Sequence, residues 1–170
     1  MRTALIRAEK EKDWAAVQAL NKAAFESAAE AELVALLRRQ ARPVISLVAE
    51  NDGVIVGHIM FSPVLLARRP ELKIMGLGPM AVSPQQQRKG VGSALVRAGL
   101  DECKKLGFSA VVVLGHPDYY PRFGFTPAAH FGLGCDYEAP DEAFMAIELQ
   151  TGGLDGACGK VRYHAAFDNV

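Results

Sequence analysis

The stretch QQQRKGVG, residues 85–92, sets Gly90 and Gly92 together with Arg88 and Lys89 at the mouth of a helix-like run, SALVRAGLDECKKLG. The first turn of a helix carries free backbone N–H groups and the positive end of the helix dipole. Glycines at that position let the backbone approach a phosphate with no Cβ in the way, and the two cations add charge beside it. Two other phosphate motifs fail. A dinucleotide fingerprint needs a third glycine where Leu95 stands, and the Gly159-Lys160 pair has Leu154 and Val161 where a P-loop needs Gly and Ser or Thr. On its own the loop also admits a plainer reading as a flexible solvated turn.

A second cluster, YYPRFGF at 119–125, follows the apolar run AVVVL at 110–114. Tyr119 and Tyr120 then fall near the C-terminal end of a buried strand, on the sheet edge where ligands of open α/β sheets gather. Both clusters face one crevice. Other chemistry-bearing residues are more scattered. Glu26 and Glu30 lie between the first two helical runs, His58 lies within the strand-like VGHIMF, and His116 precedes Pro117. Each has a plain alternative: a solvated helix-end carboxylate, a hydrogen-bonded histidine facing the sheet, a turn residue. Cys103, Cys135 and Cys158 are odd in number and far apart, so they suggest neither a disulfide framework nor a metal site and are read as packing thiols.

The elements that must position these groups follow from periodicity. Residues 3–7 form a short strand, and Trp14, Val17, Leu20 and Ala24 repeat at helical spacing behind Asp13, a candidate N-cap. EAELVALLRRQ predicts a second helix with Leu33, Leu36 and Leu37 inward. VISLVAE and VIVGHIMFSPV are β-branched runs joined by Asn51-Asp52-Gly53, a hairpin signal. Residues 74–82 form a fourth strand in which Gly76, Gly78 and Pro79 predict a bulge. Residues 91–106 are an amphipathic helix stopped by Gly107, so 74–114 reads as a strand, helix, strand unit with parallel strands. AFMAIEL is a further strand, and KVRYHAAF, behind the Gly-rich GGLDGACG, reads as an edge strand.

With 170 residues, 19 Lys plus Arg and 19 Asp plus Glu, the chain suits one domain and has no global field for a polyanion. Nucleic acid and membrane are not expected as partners. No apolar run suits a secretory signal or a membrane span, so the chain reads as cytoplasmic.

The paired motifs closely resemble those of the GNAT superfamily of acetyl-coenzyme A dependent N-acetyltransferases, in particular its bacterial YhbS-type branch. That superfamily writes its pyrophosphate loop Q/R-x-x-G-x-G/A, here Gln87, Gly90 and Gly92, and places a Tyr four residues before a terminal Gly-Phe, here Tyr120, Gly124 and Phe125. The resemblance implies an α/β (α+β) fold: a mixed central sheet of about six or seven strands, splayed between the fourth and fifth, flanked by about four helices. It implies a catalytic domain over 1–150, with 151–170 a C-terminal extension of the same domain.

It also implies acetyl-CoA as co-substrate, with no metal, and direct transfer to a primary amine in a ternary complex. Carried over by position, Met80, Ala81 and Val82 would meet pantetheine. Gln87, Arg88, Lys89, Gly90, Val91, Gly92 and Ser93 would hold the pyrophosphate, and Tyr120 would be the general acid on the leaving sulfur. Glu26, Glu30 and His58 are the candidates facing the amine. Many relatives carry a Glu in the fourth strand, but GLGPMAV has none, which leaves the base open between a residue and an ordered water. A non-catalytic acyl-CoA sensor would keep the glycine loop without needing Tyr120, and a nucleotide-dependent oxidoreductase is opposed by Leu95. The identity of the amine, and whether the tail covers the cleft or pairs in a homodimer, stay open at this level.

Overall fold

The structure, a computed structural model, describes residues 4–25, 27–137 and 139–169. Twelve regular elements build it. The strands are β1 (Leu5–Ala8), β2 (Ile45–Asn51), β3 (Val54–Leu66), β4 (Ile74–Val82), β5 (Ala110–Leu114), β6 (Thr126–Pro127), β7 (Leu133–Cys135), β8 (Phe144–Glu148) and β9 (Gly159–Arg162). The α-helices are α1 (Trp14–Phe25), α2 (Ala29–Gln40) and α3 (Val91–Lys105). Among the described residues there are therefore three α-helices rather than about four. The remaining helical turns are short 3-10 pieces such as Tyr120–Phe123, held to one turn by Pro121 and by Gly124 at φ 103°.

The main sheet runs β1-β2-β3-β4-β5-β8-β6, seven strands in all. β2 and β3 form the expected hairpin, with Asp52 at φ 49° and Gly53 at φ 82° supplying the left-handed turn. β4 and β5 are the one parallel pair in this path, as the strand, helix, strand reading requires. β9 is not an edge strand. It pairs antiparallel with the end of β3 and parallel with β7, so the tail is stitched between two neighbours.

Alternation along β3 sends Phe61 and Ile59 to one face and Met60 and His58 to the other. On the first face α3 lays Val91, Leu95, Val96, Leu100 and Cys103 against the sheet, and these form one continuous core. On the second, Val17 of α1 and Leu33, Val34 and Leu37 of α2 pack with Val48, Met60 and Ala166. Asp13 does not act as a simple N-cap. Its carboxylate accepts the Lys10 amide at 2.8 Å and forms a bidentate pair with Arg7, which holds its pKa down to about 2. Cys103 is fully buried, its thiol pushed up to about 12 by desolvation, whereas Cys158 is exposed and is not a packing residue.

Candidate functional site

Pairing between β4 and β5 covers Ile74, Met75 and Gly76 against Ala110, Val111 and Val112, and then stops. β4 continues to Val82 with no strand partner on that side, so its backbone groups from Leu77 onward face a gap. The cause is local. Opposite Met60 the register to β3 slips between Ile59↔Met80 and Phe61↔Leu77, which leaves Gly78 and Pro79 as the bulge expected there. Gly78 takes φ 137°, a conformation that disfavours any side chain, and Pro79 brings no N–H.

The glycine loop closes one end of the gap. Gly90 is the N-cap of α3 at φ 87°, and no side chain caps the helix. The first intrahelical bond is Ala94 N–H to Gly90 C=O, so the amides before Ala94 have no helical partner. The Gln87 side chain donates to the Val82 carbonyl at 3.2 Å and ties the loop to the end of β4. Arg88 sits at φ 65°, where a non-glycine residue is strained.

A groove of about 840 Å³ lies against this loop. Met80, Val82, Gln87, Arg88, Gly90, Gly92 and Ser93 from the sequence reading line it. Lys89 does not, and the side chains of Ala81 and Val91 are turned into the core, so those two can contribute only backbone. Gln86, Tyr119 and Arg122 line the groove without having been singled out as cofactor-binding. Tyr119 and Ser93 hydroxyls lie 3.1 Å apart. Arg122 donates to the Tyr119 carbonyl and stacks its guanidinium 4.5 Å from the Tyr119 ring centre, which fixes a cation at the groove. The YYPRFGF wording held that signal: an arginine one turn from a ligand-facing tyrosine.

Tyr120 stands at the back of the groove. It is largely buried, edge-on to Tyr119 at 5.1 Å and to Phe125 at 5.7 Å, and burial pushes its phenol up to about 12. A second cavity, about 570 Å³, opens on the far side of the gap. Met80, His116 and Tyr120 belong to both linings, so the two compartments share one wall.

Glu30, in the first turn of α2, lines this second cavity. Glu26 lies outside the described residues. His58 lines neither compartment, and its candidacy is corrected. It is fully buried on the α1/α2 face, where Ser46 Oγ lies 2.8 Å from its Nε2 and itself donates to Glu9 Oε2 at 3.0 Å. Because the Ser46 proton is given to Glu9, His58 Nε2 must be the donor to Ser46. Glu9 is in turn held by Arg38 at 2.8 and 2.9 Å. Desolvation, with Arg38 adding to it, holds the imidazole down to about 3.

An open mixed sheet that parts between two parallel strands, with a glycine-started helix at the mouth of the gap, is a GNAT architecture. Residues 14–125 match the acetyltransferase (GNAT) family, and the chain belongs to that family. Among individual proteins it is similar to YhbS of Escherichia coli (strain K12), named as an uncharacterized N-acetyltransferase, at 39 % identity over 165 residues, 96 % of this chain and 98 % of that protein. The crystal structure of E. coli YhbS in complex with CoA superposes with a TM-score of 0.92 at 38 % identity, covering 99 % of this chain and 93 % of that one. A GNAT family acetyltransferase from Brucella melitensis in complex with acetyl-CoA gives 0.80 at 36 % identity, over 99 % of this chain and all (100 %) of that one.

Proposed function

We propose that the chain transfers an acetyl or other short acyl group from coenzyme A to a primary amine, with both held at once. The observation that carries this reading is the shared wall: the loop-side groove and the second cavity meet at Met80, His116 and Tyr120. The groove fits the coenzyme. Uncapped amides at the start of α3, with Arg88 and Arg122 beside them, suit a diphosphate. The unpaired side of β4 past Gly76 suits an amide-bearing pantetheine arm, added as a pseudo-strand through Met80 and Val82.

Coenzyme A supplies an acyl thioester. The residues of the chain then have to bring nitrogen to the carbonyl carbon, take a proton from nitrogen and give one to sulfur as the C–S bond breaks. Tyr120 is read as the donor to sulfur, since burial keeps its phenol protonated well above neutral pH. His116 lines both compartments and is read as the acceptor of the nitrogen proton. The net movement is one proton from nitrogen to sulfur. We assign 1–150 as the catalytic unit, with the tail completing its acceptor side.

The test is free-thiol release from acetyl-CoA across a panel of amines, with Tyr120→Phe alongside. Amine-dependent release, reduced at least about 10²-fold by the substitution, is expected. Binding of CoA with no release in the presence of any amine would favour a sensor instead.

A further inference from the structure

The second cavity restricts which amine it can take, an inference that rests on the acyl-transfer reading above. Aromatic rings from three separate segments face it besides Tyr120: Phe25 at the end of α1, Tyr137 after β7, and Tyr163 and Phe167 in the tail. The tail rings are packed in place. Tyr163 lies 5.2 Å from Phe167 and 5.7 Å from Tyr137 between ring centres, and its edge sits over Gly76, where a Cβ would come within 2.7 Å of it.

Glu30 and Tyr163 are among the polar side chains of this lining. Glu30 Oε2 and Tyr163 Oη are both withdrawn from water with no hydrogen-bond partner among the described residues. A carboxylate oxygen in that state is costly by itself and calls for a charged donor. An ammonium is such a donor. Aromatic faces around it would add cation–π attraction, and a phenol oxygen can accept one of its three N–H bonds. Glu30 is also the sole carboxylate among the described lining residues, which include no Lys or Arg. Among the described lining residues a second ammonium, as in a polyamine or aminoglycoside, finds no counter-charge, and the carboxylate of a free amino acid finds none either.

We infer that the acceptor is a small primary amine with an aromatic or branched apolar body, received as an ammonium at Glu30 and the Tyr163 hydroxyl and walled by the tail aromatics. Glu30 takes one proton as the nitrogen becomes a neutral nucleophile, and the second proton leaves nitrogen as sulfur gains one.

The experiment compares kcat/KM with acetyl-CoA for 2-phenylethylamine and isopentylamine against spermidine, alanine and an Nα-blocked lysine peptide. The first two are expected to exceed the others by about tenfold or more, the scale of one charge-assisted hydrogen bond. Glu30→Gln should raise KM for 2-phenylethylamine by a similar factor, and Tyr163→Phe by a smaller one. Both variants should keep the rise in Tm that CoA gives the wild type, which reports an intact fold and groove. Equal or better use of spermidine, alanine or the lysine peptide overturns the inference while leaving acyl transfer standing, as does an unchanged KM in Glu30→Gln. No transfer to any amine, with CoA still raising Tm, overturns the enzymatic reading and the inference with it.

Discussion

Gly115 and Tyr120 are in direct steric register: a methyl group at Gly115 would lie 2.5 Å from Cε2 of the Tyr120 ring. The phenol occupies the volume that a side chain would take, so the residue after β5 sets where the hydroxyl can stand. Gly115→Ala should therefore shift the ring and lower kcat by about 10²-fold, the scale of a misplacement near 1 Å. Steady-state kinetics together with a structure of the variant checks this, and full activity with an unmoved ring would refute it.

Tyr120→Phe removes the hydroxyl and keeps the ring that packs on Phe125. Turnover should fall by about 10²- to 10⁴-fold while CoA affinity by calorimetry changes by less than about threefold. A comparable loss in both would mean the hydroxyl binds coenzyme rather than serving the reaction.

Burial raises the Tyr120 phenol from 10.0 to about 12, so the donor form prevails across the working range. The rate should show no alkaline loss from this group between about pH 7 and pH 10. A kcat profile with a limb near pH 10 that vanishes in Tyr120→Phe would contradict the shift.

At the mouth of α3, Gly92→Glu would set a carboxylate beside the amides that the coenzyme is proposed to use. A Cβ alone would already lie 3.2 Å from Tyr119 Oη. CoA binding should weaken by about tenfold or more, read by calorimetry, with the unfolding midpoint of the free protein little altered.

His58 titrates from 6.5 in the unfolded chain to about 3 when folded. The native state binds fewer protons than the unfolded state between those values, so stability is present above pH 6.5 and is lost as pH falls toward 3. Denaturant unfolding from about pH 7 to about pH 4 should show a loss on the order of a few kcal/mol. His58→Gln should flatten that slope, and an unchanged slope would exclude His58 as its source.

Much of the groove beside α3 was legible because its determinants are local. Asp52-Gly53 dictates a turn by φ alone, Gly78-Pro79 disrupts a ladder wherever it falls, and Gly90 opens a helix by lacking a side chain. The second cavity was not, because it is assembled from distant segments. Nothing near Tyr163 or Phe167 in sequence tells that β9 inserts between β3 and β7 and so delivers both rings to the gap. His58 was misjudged for a related reason. β3 is buried on both faces from Val56 to Ser62, so burial does not distinguish the cleft from the α1/α2 side. Arg122 was overlooked because a cation inside an aromatic run reads as solvent-facing until its stacking on Tyr119 is seen.

Met80, His116 and Tyr120 line both compartments, so if coenzyme and amine occupy them as proposed, a single molecule should be able to span the two. A chimaera with coenzyme A tethered through sulfur to an amine nitrogen would present its second half at the effective concentration set by the tether. It would resist displacement by either fragment added alone. The division also separates two evolutionary liberties: substitutions at Phe25, Tyr137 or Phe167 can retune one end of such a ligand while the nucleotide end stays as it is.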